Sequence, residues 1–179
     1  ALGHTHLALT DVNGLYGAPA FYDSARAAGL VPIIGAELRH DGAMVVALVA
    51  GEAGYENLCR LITRIHCGEQ FDLPARLAEL ADGLHLLVED DALAAKLAAA
   101  GVDRHRLWLG IDPPTQSQSQ LRRLTDCAGR LGLALVATGK ALLAEPADHE
   151  LARLLSAIRL GGNWDGLDEQ VLPNPEAYL

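Results

Sequence analysis

Apolar residues fall into two alternating patterns along the chain: short unbroken runs, and longer stretches in which they recur every three or four positions. The first run, Leu7 to Leu9, stops at Thr10-Asp11, and Asn13-Gly14 supplies a turn. Ala18, Phe21, Tyr22, Ala25 and Ala28 then follow helical spacing, with Pro19 near the start and Gly29 placed to end the helix before the run Val31 to Ile34. The rest of the chain repeats this. Strands are predicted at Met44–Ala50, Leu84–Val88, Arg106–Leu109 and Leu133–Ala137. Helices are predicted through Tyr55, Leu58, Ile62 and Ile65, over Leu73–Ala81, Asp91–Ala100 and Gln118–Leu131, and near Ala147–Leu160 after Pro146.

Strands alternating with helices imply an α/β fold built on a parallel sheet or barrel. The run Met-Val-Val-Ala-Leu-Val-Ala from Met44 has no polar face and suits a strand buried on both sides. Pro113-Pro114 and the Thr-Gln-Ser-Gln-Ser-Gln that follows read as a surface loop. After Gly161-Gly162 the pattern dissolves, and Pro173 and Pro175 restrict the chain to extended or turn conformations. The expected organisation is one domain over residues 1–162 and an irregular exit segment over 163–179.

Composition narrows the function. The chain has 179 residues, half of them hydrophobic, which is enough for one continuous core. A formal net charge of -9 and a sequence pI near 5.1 oppose autonomous binding to a phosphate backbone. Cys59, Cys67 and Cys127 are an odd number at irregular spacing, so buried free thiols in a reducing, cytoplasmic setting are expected. No apolar run approaches the roughly 20 residues of a membrane span, and the first residues lack the basic and apolar regions of a signal peptide. There is no phosphate-binding glycine loop, nucleophile elbow or dinucleotide fingerprint.

Several stretches stand in the order of one family: Leu-Ala-Leu-Thr-Asp from Leu7, Gly-Leu-Tyr-Gly from Gly14, Ile-Ile-Gly-Ala-Glu from Ile33 and Gly-Tyr-Glu-Asn-Leu-Cys from Gly54. Leu-Val-Ala-Thr, Pro146-Ala-Asp-His-Glu and Ala157-Ile-Arg-Leu-Gly follow, and then Pro175-Glu-Ala-Tyr-Leu. In these the chain resembles the PHP (polymerase and histidinol phosphatase) domain of bacterial DNA polymerase III alpha subunits. The resemblance implies a distorted seven-stranded βα barrel, TIM-like, with a metal cluster at the carboxyl ends of its strands. It also implies a His-x-His first strand, which this sequence lacks.

The implied metal site is degenerate. His4 and His6 lie before Leu-Ala-Leu-Thr-Asp, where the family has a loop and the start of its second strand, so they are weak ligand candidates. Alternate strand residues share a face, but two packing histidines explain them equally well. Asp11 matches a family position, and the ligand histidine expected next is Val12. Glu37 matches the family glutamate. Met44 and Asp90 stand where further ligands are expected, although Asp90 also reads as a helix cap. In Gly139-Lys140-Ala141-Leu142, the ammonium of Lys140 and the side chain of Leu142 replace two more ligands. The sequence leaves Glu37 and Asp90, with His4 and His6, as the remaining metal candidates, too few for two ions roughly 4 Å apart. A Glu37–Lys140 pair is expected to occupy the vacated centre.

The expected function is therefore a non-catalytic PHP domain that braces a polymerase core and offers a docking surface to a proofreading exonuclease or other replisome component. No cofactor is expected. The alternatives are a metal-dependent phosphoesterase or 3'-5' proofreading nuclease using zinc or manganese, and a stand-alone interaction module. Asp41 and Asp112 also lie near strand ends, His149 sits in a first helical turn, Trp108 is expected in the core, and Trp164 is an interface candidate.

Overall fold

A computed structural model describes residues 3–68, 71–112, 116–139, 141, 143 and 145–161. Lys140, Leu142, Trp164, the Pro113-Pro114 turn and the exit segment 163–179 lie outside the described residues. Gly3–Ala137 form one compact unit, and another begins at Thr138.

The first unit runs β1 (His6–Val12), α1 (Ala18–Ala27), β2 (Val31–His40), β3 (Ala43–Val49), α2 (Glu52–Cys67), α3 (Leu73–Leu80), β4 (Leu84–Val88), α4 (Asp91–Ala99), β5 (Leu107–Ile111), α5 (Gln118–Leu131) and β6 (Ala134–Ala137). Every strand and helix expected from the apolar pattern is present. The main difference is β2, which continues past Ile34 to His40. Glu37, Arg39 and His40 are polar, so the apolar run ends before the strand does.

The six strands form one sheet in chain order. It is mixed rather than parallel: β1 and β2 are parallel, β3 is antiparallel to both β2 and β4, and β4, β5 and β6 are parallel. The physical reason is the two-residue turn between β2 and β3, where Asp41 (φ 47°) and Gly42 (φ 77°) both adopt left-handed conformations. Asp-Gly between apolar runs is a strong hairpin signal, because two positive-φ residues match the twist of the strands they join. A hairpin reverses the chain and leaves no room for a crossover helix.

Cross-strand register sorts side chains by face. Ala36, Ala47, Leu86 and Leu107 lie side by side, all completely buried under the helices. One residue along, Glu37, Val46, Leu87 and Trp108 line the opposite face. There the Trp108 indole N–H donates to His85 Nδ1 at 3.2 Å, and both rings border an apolar hollow of about 290 Å³ with Ile33, Leu48, Val49, Leu87 and Val136. Trp108 is thus half-buried on this second face, outside the helix-covered core. Of the three free thiols only Cys127 is buried; Cys59 is half-buried and Cys67 exposed, because Cys67 ends α2 beyond the packed turns.

In the second unit a 3-10 turn (Pro146–Asp148) leads into α6 (His149–Leu160), closed by Gly161 at φ 63°. Leu151, Leu154, Leu155 and Ile158 are 44% to 68% exposed and recur at the spacing of one helix face.

Candidate functional site

The carboxyl ends of the parallel strands and the start of β3 share one edge of the sheet, so folding brings Asp11, Val12, Glu37, Met44 and Asp90 to that edge. In register, Val12 stands beside Glu37, and Met44 beside Arg39. His4 and His6 are at the other end of β1, where His6 Nδ1 meets Thr5 Oγ1 at 2.9 Å and His6 pairs with Val31. The structure does not bring them to Glu37.

Asp11, Glu37 and Asp90 each already make a structural contact at this edge. Asp11 is in register with buried Ala36 and so lies on the helix face, where its Oδ2 accepts the Gly17 backbone N–H at 2.7 Å at the start of α1. Asp90 caps α4, its Oδ1 accepting from Leu93 N at 2.6 Å. Glu37 is in register with Val12 and lies on the other face. Its carboxylate is paired with the guanidinium of Arg39, two residues along the same strand and hence on the same face. The Glu37 side chain is 9% exposed and that of Arg39 57%.

The pairing with Arg39 was not anticipated from sequence, although glutamate and arginine two apart on a strand is a readable signal. Asn13 reinforces it. This residue sits at φ 47°, donates its Nδ2 to Arg39 O at 2.9 Å and accepts Arg39 N–H on Oδ1 at 2.8 Å. Its own backbone N–H bonds to Glu37 O at 2.9 Å, and His66 Nε2, at the end of α2, donates to Asn13 O at 2.7 Å. Asn13 extends the β1–β2 ladder with a side chain where backbone pairing stops.

Asp112, just beyond β5, is the other buried charged residue among those described besides Glu37. Its backbone N–H donates to Gln116 Oε1 at 3.0 Å. Sequence reasoning gave it little weight, since an aspartate after a strand is usually a turn former. Three strand spacings separate Asp112 from Glu37, about 14 Å in a flat sheet.

A polar hollow of about 610 Å³ opens beside the hairpin, lined by His40, Asp41, Phe71, Asp72, Arg76 and Glu79 among others. Its polar side chains are engaged locally: Asp72 accepts the Ala75 N–H at 3.3 Å, His40 faces Asp41 at 3.4 Å, and Glu79 accepts from Arg76 at 2.9 Å and Arg64 at 3.4 Å. The Arg76 hydrogen bond, aided by Arg64, holds the Glu79 carboxyl below its ordinary range.

The donor set does not fit a metal of phosphoester chemistry. An isopropyl group at Val12 and a thioether at Met44 offer such an ion no oxygen or nitrogen donor, while Asp11 holds the Gly17 backbone N–H and Asp90 caps α4. Among the described residues, no three histidine, cysteine or acidic side chains gather closely enough to hold one.

Comparison with known proteins identifies the frame in which this edge sits. The PHP domain model matches residues 1–161. The chain belongs to the PHP domain family. An error-prone DNA polymerase of Anaeromyxobacter dehalogenans strain 2CP-1 is 32% identical over 206 residues, which is 99% of this chain and 17% of the relative. The error-prone DNA polymerase of Cutibacterium acnes is 31% identical, covering 99% of this chain and 19% of its own length. That of Symbiobacterium thermophilum is 48% identical over 69 residues, 38% of this chain and 6% of the relative. The PHP domain described here thus spans less than a fifth of the polymerases it matches. Among solved structures, a candidate metal-dependent phosphoesterase of Bifidobacterium adolescentis aligns with a TM-score of 0.49 and 14% identity over 77% of each chain.

Proposed function

We propose that this PHP domain is non-catalytic and serves as a structural and docking module of a DNA polymerase III alpha-like protein in bacterial DNA replication or repair synthesis. The observation that carries the reading is the engagement of three carboxylates at the strand ends, those of Asp11, Glu37 and Asp90. Asp11 and Glu37 lie on opposite faces, one accepting the Gly17 backbone N–H ahead of α1 and one paired with a guanidinium, and Asp90 caps α4. Metal-dependent hydrolysis of a phosphoester needs clustered ligands that hold an ion able to create a nucleophilic hydroxide. In this reading the sheet is the larger part of a seven-stranded barrel wall, and the protein works in the cytoplasm.

The partner is the polymerase body that accompanies such a domain, with a proofreading exonuclease or another replisome subunit as a further partner. The exposed row Leu151, Leu154, Leu155 and Ile158 on α6 is the docking face. An apolar row at i, i+3, i+4 and i+7 is the form in which a helix enters another protein's groove.

Two measurements test this. Protein purified without chelators and supplied with manganese or zinc is expected to hold no stoichiometric metal and to hydrolyse neither a phosphomonoester nor single-stranded DNA. Turnover abolished by Glu37→Ala would overturn the reading. Titration against the Anaeromyxobacter polymerase with its own matching segment deleted is expected to show association, weakened at least tenfold by Leu155→Glu.

A further inference from the structure

We infer that Arg39 is a built-in cation at this strand edge, its guanidinium occupying electrostatically the role a metal ion would have beside Glu37. The inference rests on the non-catalytic reading and adds the means by which the site is held closed. A carboxylate as enclosed as Glu37 is costly unless a positive charge stands next to it. Arg39 is positioned for that by the strand period alone, and its backbone is fixed on both its N–H and C=O by the Asn13 side chain. His66 in turn holds Asn13 from α2. Three elements therefore converge on fixing the backbone that carries this guanidinium. The residues in register with the pair, Val12 and Met44, bring no oxygen or imidazole donor that would favour an ion over the arginine. Because a guanidinium remains charged at any physiological pH, the closure is independent of metal supply.

A double-mutant cycle on the whole chain, followed by thermal denaturation with EDTA, manganese or zinc, tests this. The melting temperature of the unmodified protein is expected to be the same in all three. Arg39→Gln is expected to lower it by roughly 5–10 °C, the scale of an enclosed carboxylate losing a neighbouring guanidinium in a chain of this length. Glu37→Gln combined with Arg39→Gln should recover at least half of that loss. If Arg39→Gln fails to fold and the double variant folds, the same coupling has been seen in stronger form. Equal effects of Arg39→Gln with and without Glu37, and no response to metal, would overturn the inference alone. A parallel cycle with Lys140→Gln then reports whether that residue is the counter-charge. A melting temperature raised by manganese or zinc and lowered by EDTA would overturn the non-catalytic reading as well.

Discussion

Gly54 in α2 and Gly83 before β4 meet backbone to backbone. A Cβ built on Gly54 would lie 1.8 Å from the Gly83 carbonyl oxygen, and one on Gly83 would lie 2.3 Å from Gly54 N. Gly83 also has φ 72°, which disfavours any side chain. The contact seats the start of α2 against the entry to β4, and Ala50 N–H bonds to Gly83 O at 2.8 Å in the same place. Gly54→Ala forces helix and sheet apart and is expected to cost about 3 kcal/mol, read as a lower urea midpoint with unchanged slope. Here the Gly-Tyr-Glu-Asn-Leu-Cys motif has a packing reason for its first residue.

Asn13 makes a different kind of link. Asn13→Ala removes both bonds to the Arg39 backbone and leaves a β-carbon at positive φ, for an expected loss of about 2 kcal/mol. Asn13→Gly relieves the backbone strain but restores no hydrogen bond, so its stability should fall between the two. Equal stability of all three would show that the side chain contributes nothing.

How far the sequence carried can be judged from particular residues. The apolar runs located each strand because burial, which the pattern records directly, is what makes those runs strands. The reversal of β3 is written in Asp41-Gly42, a local turn signal that the chain-wide alternation of strands and helices, which points to a parallel arrangement, does not reveal. Asp90 as a helix cap was legible, because capping depends on neighbours three residues away. The bond between Asn13 and Arg39 was not, since it joins residues 26 apart and depends on a left-handed backbone that no local pattern specifies. Glu37 is legible through the family motif that contains it, whereas Arg39 stands outside that motif and its pairing depends on the strand continuing past Glu37.

Asp90 separates a cap from a ligand by chemistry. Asp90→Asn keeps an oxygen for Leu93 N–H and should leave stability almost unchanged, whereas Asp90→Ala is expected to cost about 1 kcal/mol through loss of the cap. Circular dichroism during urea denaturation measures both. A cost as large for asparagine as for alanine would mean that the negative charge itself matters.

Glu79 gives the first unit an acid-sensitive element. Its carboxyl is held below the ordinary value of about 4.5 by its hydrogen bond to Arg76, with Arg64 contributing. The group is therefore less protonated folded than unfolded. Its contribution is fully present above the unfolded value and disappears as pH falls through the folded one. The difference in urea midpoint between the unmodified chain and Glu79→Gln is expected to hold from pH 7 to about 5 and to shrink progressively once pH falls below the unfolded value. Because the pair is exposed, 0.5 M salt should shrink the difference at neutral pH. A gap that does not narrow on acidification would assign the effect to packing instead.

The reversed strand also changes the field at the sheet edge. Helices α1, α3, α4 and α5 all start at the carboxyl edge and direct the positive end of their summed peptide dipoles towards it. Helix α2, which follows the one antiparallel strand, runs the other way and brings its negative end there, where His66 and Asn13 meet. Asp11 at α1, Asp72 at α3 and Asp90 at α4 answer three of the positive ends, and uncharged Ser117 caps α5. Much of the acidity on this edge is thus compensated within the fold by oriented backbone. A count of formal charges overstates how strongly it repels an approaching anionic surface.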